Sequence, residues 1–324
     1  MRAFLKQFGL FAAIQLAIAV IVVWSYRRQY PSAQNYLAAS IDKHALIRTQ
    51  EPPRLIFIGG SSMAFGVNSA AIAEACGRRP VNMGLHAALG LQFMLNEVEP
   101  NIRPGDWIIV APEYQQFIRL GQSEMLVNML EIDSANARLL DRHEWAGAFD
   151  TGFIQRFGKI ARAVIGRPGR FFRKNTMSRS TRLYYRRGGF NQNGDIVAHL
   201  NETPRGLREK EFQFRYRDEM VQETIAQVNR FAKNAEAAGA KVFFSHPPLP
   251  REVFQKNRAT ISRLDAELRA KLTVPQLDSA EEMVFPVEYF FDTWYHLAAA
   301  GVEKRSQLLA SRMAQRSKGE NVAR

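Results

Sequence analysis

The chain has 324 residues, 46% of them hydrophobic, and carries a formal net charge of +13. This length and apolar content suffice to bury one large α/β core with an appendage, in one or two domains. The single cysteine, Cys76, excludes an internal disulfide and a thiolate metal cluster, and a buried place in a helix is its expected role.

The N-terminal segment forms a long apolar run. No charged residue lies between Lys6 and Arg27, and the run Phe8–Trp24 is almost wholly apolar. Because 20 helical residues cover roughly 30 Å, the thickness of the hydrocarbon core of a bilayer, we predict a single transmembrane anchor at residues 1–28. A cleaved signal peptide is the alternative, although the residues after the run offer no small-x-small cleavage site.

A connector at residues 29–53 precedes an alternation of apolar strands and helical patterns. Such alternation predicts an α/β fold in which helices cover both faces of a parallel sheet, and we assign residues 54–324 to this one domain. The predicted strands are Leu55–Ile58, a short strand at Val81, Trp107–Val110, Val242–Phe244 and Val274–Leu277. The predicted helices are Ala33–His44, Ala70–Ala75, Leu91–Val98, Glu209–Ala238, Val253–Leu272 and Ala298–Met313.

Two serines follow the first predicted strand. Residues 54–66 read Arg-Leu-Ile-Phe-Ile-Gly-Gly-Ser-Ser-Met-Ala-Phe-Gly, so an apolar strand ends in small residues and gives way to a helix. A hydroxyl at this point lies at the carboxyl edge of the sheet, where ligands of α/β proteins usually bind. Ser62 is therefore a candidate nucleophile. The alternative interpretation is a tight strand-to-helix turn with a serine N-cap.

A candidate base and a carboxylate to orient it occur late in the chain. Residues 290–297 read Phe-Phe-Asp-Thr-Trp-Tyr-His-Leu and lead into a helical pattern. A hydroxyl is a poor nucleophile near neutral pH, so it needs an imidazole to take its proton and a carboxylate to fix the imidazole's tautomer. Asp292 and His296 could supply both, since their four-residue spacing on a helix would place them on one face. Alternatively, Asp292 is an N-cap and His296 an ordinary first-turn residue.

Together these segments resemble the SGNH (GDSL-type) esterase and acyltransferase superfamily across roughly residues 52–315. Gly60-Ser61-Ser62 stands at the first block of that superfamily, Gly-Asp-Ser, with serine in place of aspartate. Asn82-Met83-Gly84 stands at the second block, a glycine after the second strand. The resemblance implies an SGNH-like, flavodoxin-like three-layer sandwich with a Ser62, His296 and Asp292 triad. It also implies an oxyanion hole formed by the N–H groups of Ser62 and Gly84, with Asn82 beside it.

Two blocks depart from the superfamily pattern. Glu113-Tyr114 follows the third predicted strand where the superfamily has Gly-x-Asn-Asp, so the third oxyanion donor is missing and Glu113 becomes a substrate-binding candidate. Three residues rather than two separate Asp292 from His296. With an N-terminal membrane segment, this combination is most similar to the membrane-attached acyl-transfer branch, which includes alginate O-acetyltransferase-type proteins and D-alanyl-lipoteichoic acid transfer proteins.

Resemblance to that branch implies a membrane-anchored, serine-dependent O-acyltransferase that passes an acyl group, expected to be acetyl, to a cell-envelope polysaccharide. It also implies a multi-spanning membrane acyltransferase as a partner, and a bacterial inner-membrane location with the catalytic domain on the periplasmic side. An SGNH esterase or deacetylase is an alternative, because transfer and hydrolysis share one acyl-enzyme. A non-catalytic accessory subunit that binds a glycan or a membrane acyltransferase is another, because two blocks are altered.

A basic insertion is predicted at about residues 151–205. Residues 151–194 include no acidic side chain and carry 11 of the 44 lysines and arginines, interleaved with phenylalanines and aliphatic residues. This pattern favours a surface that lies on anionic lipid headgroups or on an anionic polymer. Nucleic acid would suit the charge alone, but the predicted anchor argues against it. The remaining alternative is a solvated insertion whose arginines pair with acidic groups elsewhere in the fold.

Two further histidines lie beside predicted strand ends. His86 follows the second-block glycine and His246 ends the fourth predicted strand, so either could bind substrate or accept the catalytic proton. A structural role is the alternative for both. No His-Glu-x-x-His spacing predicts zinc, and the serine turn lacks the Gly-Lys-Ser/Thr ending of a nucleotide phosphate loop. The sequence therefore predicts neither a metal nor a cofactor.

Overall fold

A computed structural model of the chain describes residues 4, 6–11, 13–17, 35–118, 121, 123–147, 184–207 and 213–322. It has an α/β architecture with a four-stranded central sheet and helices around it. All three pairings within this sheet are parallel. The predicted α/β class and parallel sheet are therefore confirmed.

The sheet has the strand order β2-β1-β3-β4. The strands are β1 (Arg54–Gly59), β2 (Arg79–Asn82), β3 (Trp107–Ala111) and β4 (Lys241–Phe244). Every residue of β1 and β3 is buried, as expected for the central strands of a parallel sheet covered on both faces. Because all four strands run the same way, their carboxyl ends meet at one edge of the sheet.

Side chains that alternate along the strands separate into two cores, one on each face of the sheet. Among the described residues after 34, the helices are α1 (Ala39–Thr49), α2 (Ser61–Ala64), α3 (Ser69–Glu74), α4 (Leu91–Val98), α5 (Ser123–Ile132), α6 (Arg142–Gly147), α7 (Asp218–Ala237), α8 (Arg251–Lys271) and α9 (Ala299–Val322). Ile56 and Ile58 of β1 belong to the core that includes α4, α7 and α8, whereas Leu55 and Phe57 belong to the core that includes α3 and α9.

Several predicted elements differ from the observed ones. The strand predicted at Val274–Leu277 is wrong, since this segment makes only one isolated parallel bridge, from Gln276 to Phe244. A short parallel pair of β5 (Leu249–Pro250) and β6 (Val284–Phe285) was not predicted, because two-residue strands carry no periodicity. The connector helix begins later than predicted, with a 3₁₀ turn at Tyr36–Ala38 that leads into α1.

The N-terminal segment and the basic insertion are described only in part. Residues 4, 6–11 and 13–17 are helical. Among the described residues, no helix combines the length and the apolar character needed to cross a bilayer. The rest of the predicted anchor at 1–28, the connector up to residue 34 and residues 151–183 of the insertion lie outside the described residues.

A buried ion pair joins β1 to the turn that precedes β3. The Arg54 guanidinium donates to both carboxylate oxygens of Asp106, at 2.9 Å from Nε and 2.5 Å from Nη2, and both side chains are fully buried. Its remaining N–H groups donate to the carbonyls of Ile47, at 2.5 Å, and Asn101, at 2.7 Å. One guanidinium therefore fixes the end of α1 and the start of two central strands.

We expect Asp106→Asn to lower the free energy of unfolding by about 3–5 kcal/mol, because it leaves the Arg54 charge buried and uncompensated. Glu281→Gln is the control. Its carboxylate pairs with Arg258 at 3.3 Å, but both side chains are about two-thirds exposed, so its loss should leave stability nearly unchanged. Chemical denaturation of the purified chain measures both variants. Equal effects from the two substitutions would contradict the central role of the Arg54 pair.

Candidate functional site

The serine turn follows β1 at the carboxyl edge of the sheet. Gly60 separates the strand from the single helical turn α2, and there is room for no larger residue, because a Cβ on Gly60 would lie 2.6 Å from Glu113 Oε1 and 2.9 Å from Ala87. Gly60 is also the N-cap of α2, and no side chain caps that helix. The interpretation of this segment as a serine N-cap is therefore wrong.

Ser62 lies fully buried in this turn. Its N–H donates to Glu113 Oε1 at 2.7 Å, and its carbonyl accepts from Arg305 Nη1 at 2.8 Å. Its hydroxyl completes no hydrogen bond with any described residue. The backbone of Ser62 is thus held on both sides, while its Oγ has no hydrogen-bond partner among the described residues.

The cation that binds the Ser62 carbonyl is Arg305, which lies on α9. The guanidinium is fully buried, and burial lowers the pKa of Arg305 to about 10, partly offset by the nearby carboxyl groups of Asp278 and Glu113. It therefore stays charged at neutral pH. A Cβ on Gly66 would overlap the Ser62 carbonyl and lie 2.7 Å from Arg305 Nη1, so only glycine leaves space for this contact.

Asp292 and His296 lie in contact but not on a helix. His296 Nδ1 lies 2.9 Å from Asp292 Oδ1, and both side chains are buried. The helix-face and N-cap interpretations are wrong, because α9 begins only at Ala299 and residues 291–297 form a loop. An antiparallel bridge between Phe290 and Leu297 closes this loop and thereby brings the two side chains together.

Tyr185 contacts both members of the Asp292 and His296 pair. Its hydroxyl donates to Asp292 Oδ2 at 2.8 Å and lies 2.8 Å from His296 Nδ1. Because the ionised carboxylate can only accept, the arrangement assigns the imidazole proton to Nδ1 and leaves a lone pair on Nε2. The described residues give Nε2 no hydrogen-bond partner, so His296 is set to accept a proton at that atom.

Phe65 connects the pair to the serine turn. Its ring stacks on the His296 imidazole with centroids 4.0 Å apart and planes 10° from parallel, and its N–H donates to the Ser61 carbonyl at 2.8 Å. Phe65 therefore links the turn that holds Ser62 to the pair of His296 and Asp292. No hydrogen bond joins Ser62 Oγ to His296 in this arrangement.

The N–H groups expected to form the oxyanion hole already have acceptors. Ser62 N–H donates to Glu113, and Gly84 N–H donates to Asn82 Oδ1 at 2.8 Å. The Asn82 amide in turn donates to Asp195 at 2.7 Å and to the Met63 carbonyl at 3.2 Å, so Asn82 fixes the local backbone. An oxyanion could reach Gly84 N–H or Ser62 N–H only if these acceptors moved.

Glu113 follows β3 and is 2% exposed. Its Oε1 accepts from Ser62 N–H at 2.7 Å and from Ser61 Oγ at 3.2 Å. Burial raises the pKa of Glu113 above its ordinary value, and the Ser62 N–H and the charge of His296 only partly counter that rise. The Ser62 hydroxyl lies near enough to weaken the rise slightly but does not complete a hydrogen bond with the carboxyl group.

The two additional histidines have different environments. His86 Nδ1 accepts from Ala88 N–H at 3.1 Å, and burial, followed by the nearby charge of His296, lowers the pKa of His86 to about 4. It is therefore neutral at pH 7 with its proton on Nε2. It lies close enough to His296 to interact with its charge, which is consistent with a place at the site.

The side chain of His246 lies between two carboxylates. Its Nδ1 lies 3.0 Å from Asp278 Oδ1 and its Nε2 lies 3.0 Å from Asp265 Oδ1, the second contact lacking hydrogen-bond alignment. Burial lowers the pKa of His246, but the two carboxylates outweigh burial and the net pKa is raised. Arg305 Nη2 donates to the backbone carbonyl of His246 at 3.4 Å. The backbone of His246 therefore approaches the serine turn, while its side chain is held by two carboxylates.

Sequence reasoning missed Tyr185 and Arg305. Arg305 had a detectable signal, because it lies on the apolar face of a helix with Val302 and Leu309, where a lone arginine is unusual. Tyr185 had none, since its contact with Asp292 spans 107 residues. Among the described residues, no group of three His, Cys, Asp or Glu side chains is placed to hold a metal ion.

Comparisons with known proteins leave the function to be argued from this geometry. No model of a protein family matches the chain, and no curated protein sequence matches it either. The SGNH resemblance therefore remains a prediction based on the sequence blocks. The described site consists of a buried serine turn, a histidine and carboxylate pair stacked against it, and a buried glutamate on the serine N–H.

Proposed function

We propose that the chain is a membrane-anchored, serine-dependent O-acyltransferase of the SGNH type that modifies a cell-envelope polysaccharide through an acyl group, expected to be acetyl, carried on Ser62. The observation that carries this proposal is the Asp292 and His296 pair, which lies against the serine turn through the stacked ring of Phe65. A base, a group that orients it and an uncommitted hydroxyl are the components of acyl transfer through serine.

The mechanism has two steps. Ser62 Oγ forms a bond to the acyl carbon of the donor, its proton passes to His296 Nε2, and the bond between the acyl carbon and the leaving group breaks as that proton moves to the leaving group. The acceptor hydroxyl then gives its proton to His296 and bonds to the acyl carbon, while the proton returns to Ser62 Oγ as the acyl-enzyme bond breaks. Asp292 stabilises the imidazolium formed in each step.

Ser62 is fully buried and His296 only 6% exposed, so the proposal requires the site to open for the donor and the acceptor. The described N-terminal residues support a membrane setting, because their large apolar side chains are 48–68% exposed. A multi-spanning membrane acyltransferase would deliver the acyl group on the periplasmic side of the inner membrane, as the resemblance implies.

One observation favours a second candidate function, a non-catalytic accessory subunit that binds a glycan or a membrane acyltransferase. Both predicted oxyanion donors, the N–H groups of Ser62 and Gly84, are occupied by side chains of the same chain. An enzyme that needs those N–H groups would have to rearrange, whereas a binding subunit would not. Reactivity of Ser62 distinguishes the two candidates.

We expect a fluorophosphonate probe to label the purified chain at Ser62. Ser62 Oγ would bond to phosphorus as fluoride leaves and the proton passes to His296, which is the chemistry of the proposed first step. Ser62→Ala should abolish labelling. Ser61→Ala is the matched control and should keep it, because Ser61 Oγ is engaged with Glu113 rather than free. Mass spectrometry of the labelled peptide identifies the modified residue.

Absence of labelling in the folded wild-type chain would overturn the enzymatic proposal and leave the accessory subunit. Labelling that persists in Ser62→Ala would assign the reactive hydroxyl to another residue. With an activated acetyl ester as the donor and a polysaccharide as the acceptor, the fraction of acetyl groups found on the polymer rather than in free acetate separates the transferase from the esterase.

The orienting residues should affect the labelling rate to different degrees. Asp292→Asn should lower it by about 10²- to 10⁴-fold, because an amide no longer fixes the Nδ1 proton or stabilises the imidazolium. Tyr185→Phe should lower it by about tenfold or less, since it removes one hydrogen bond to Asp292. Stopped-time labelling gives both rates. A larger loss from Tyr185→Phe than from Asp292→Asn would contradict these roles.

A further inference from the structure

The carboxyl group of Glu113 lies where a donor to the Ser62 oxyanion would be needed. Its Oε1 accepts the Ser62 N–H at 2.7 Å, and Gly60 leaves the space that brings this oxygen against the turn. The Ser62 N–H therefore cannot reach an oxyanion while Glu113 holds it. Glu113, which occupies the N–H, also lies near enough to the Ser62 side chain for the two to interact.

We propose that Glu113 acts as a neutral carboxylic acid whose O–H donates a hydrogen bond to the oxyanion formed on Ser62. This role rests on the acyl transfer proposed above and makes Glu113 a catalytic residue of that reaction. An oxygen that accepts two hydrogen bonds, as Oε1 does from Ser62 N–H and Ser61 Oγ, is the carbonyl oxygen of the acid. The proton therefore resides on Oε2. The Ser62 N–H then acts indirectly, by polarising the acid that donates.

The surroundings of Glu113 favour the acid form. Ionised carboxylates without a bonded cation are costly to bury, and the described residues give this one only neutral donors. Four titratable groups face it, namely His296, Arg305, Tyr36 and Tyr295, of which only Arg305 is a permanent cation. Arg305 donates instead to the carbonyls of Ser62 and His246, so it does not pair with Glu113.

A negative charge at this place would oppose catalysis. An ionised Glu113 has no proton to donate and would repel the developing oxyanion, whereas a neutral acid in a buried site donates strongly. Because burial raises the pKa of Glu113, the acid form persists to a higher pH than in an exposed glutamate. The rate of reaction at Ser62 should accordingly fall on the alkaline side, as Glu113 loses its proton.

The test is the rate constant of fluorophosphonate labelling between pH 5 and 9, because the phosphoryl oxygen of this probe occupies the oxyanion position. Glu113→Ala should lower the rate by about 10²- to 10³-fold. Glu113→Gln, whose amide keeps an acceptor for Ser62 N–H and a donor for the oxyanion, should lower it by about tenfold or less and should abolish the alkaline decline.

Glu97→Gln is the matched control. Glu97 is another buried glutamate, bonded to His44 at 2.8 Å, so its substitution tests the general effect of neutralising a buried carboxyl. It should leave the pH profile unchanged. The thermal unfolding midpoint of each variant shows whether it folds, and where Glu113→Ala does not, the pH profile of Glu113→Gln decides.

The outcomes separate this proposal from the proposed function. Labelling of Glu113→Ala at the wild-type rate or faster would overturn the role of Glu113 and show that its carboxyl merely fills the position. An alkaline decline that survives in Glu113→Gln would overturn it as well. Absence of labelling in the wild-type chain would reject acyl transfer itself, whatever Glu113 does.

Discussion

The parallel register of β1 and β3 is the constraint on which the site depends. Leu55 pairs with Trp107 and Gly59 with Ala111, so the two strands end level with each other. The buried ion pair of Arg54 and Asp106 fixes this register at the opposite end, where a slip would leave a charge unpaired. A shift of one residue would carry each side chain to the other face of the sheet. Ser62 and Glu113 meet because their strands begin together.

Each face of the sheet contributes something different to the serine turn. The C-terminal helix, on the face that holds Leu55 and Phe57, supplies the Arg305 guanidinium that holds the Ser62 carbonyl. The Ser62 N–H is held instead by Glu113 at the strand end. Because Glu113 and Arg305 hold the N–H and the carbonyl of one residue, the backbone of Ser62 is fixed from two sides.

Local sequence patterns predicted the four strands of the central sheet and α4 well, because buried parallel strands and amphipathic helices leave clear periodicities. They also placed Asp292 beside His296, but through a helix, whereas a bridge between Phe290 and Leu297 makes the contact. What local patterns could not supply are contacts between distant segments. Tyr185 reaches Asp292 across 107 residues, and the two N–H groups predicted to form an oxyanion hole are occupied by side chains whose orientation depends on tertiary packing.

The contact between Arg305 and Ser62 joins segments that the ribosome makes far apart in time. Arg305 follows Ser62 by 243 residues, and at about 5–20 residues per second this separation corresponds to roughly 10–50 seconds of translation. Asp292 and His296 also emerge near the end of that interval. A nascent chain therefore carries the serine turn long before it carries His296 or the Arg305 cation that binds the turn. The buried surroundings of Ser62 are therefore completed only after the C-terminal helix has been made and has packed.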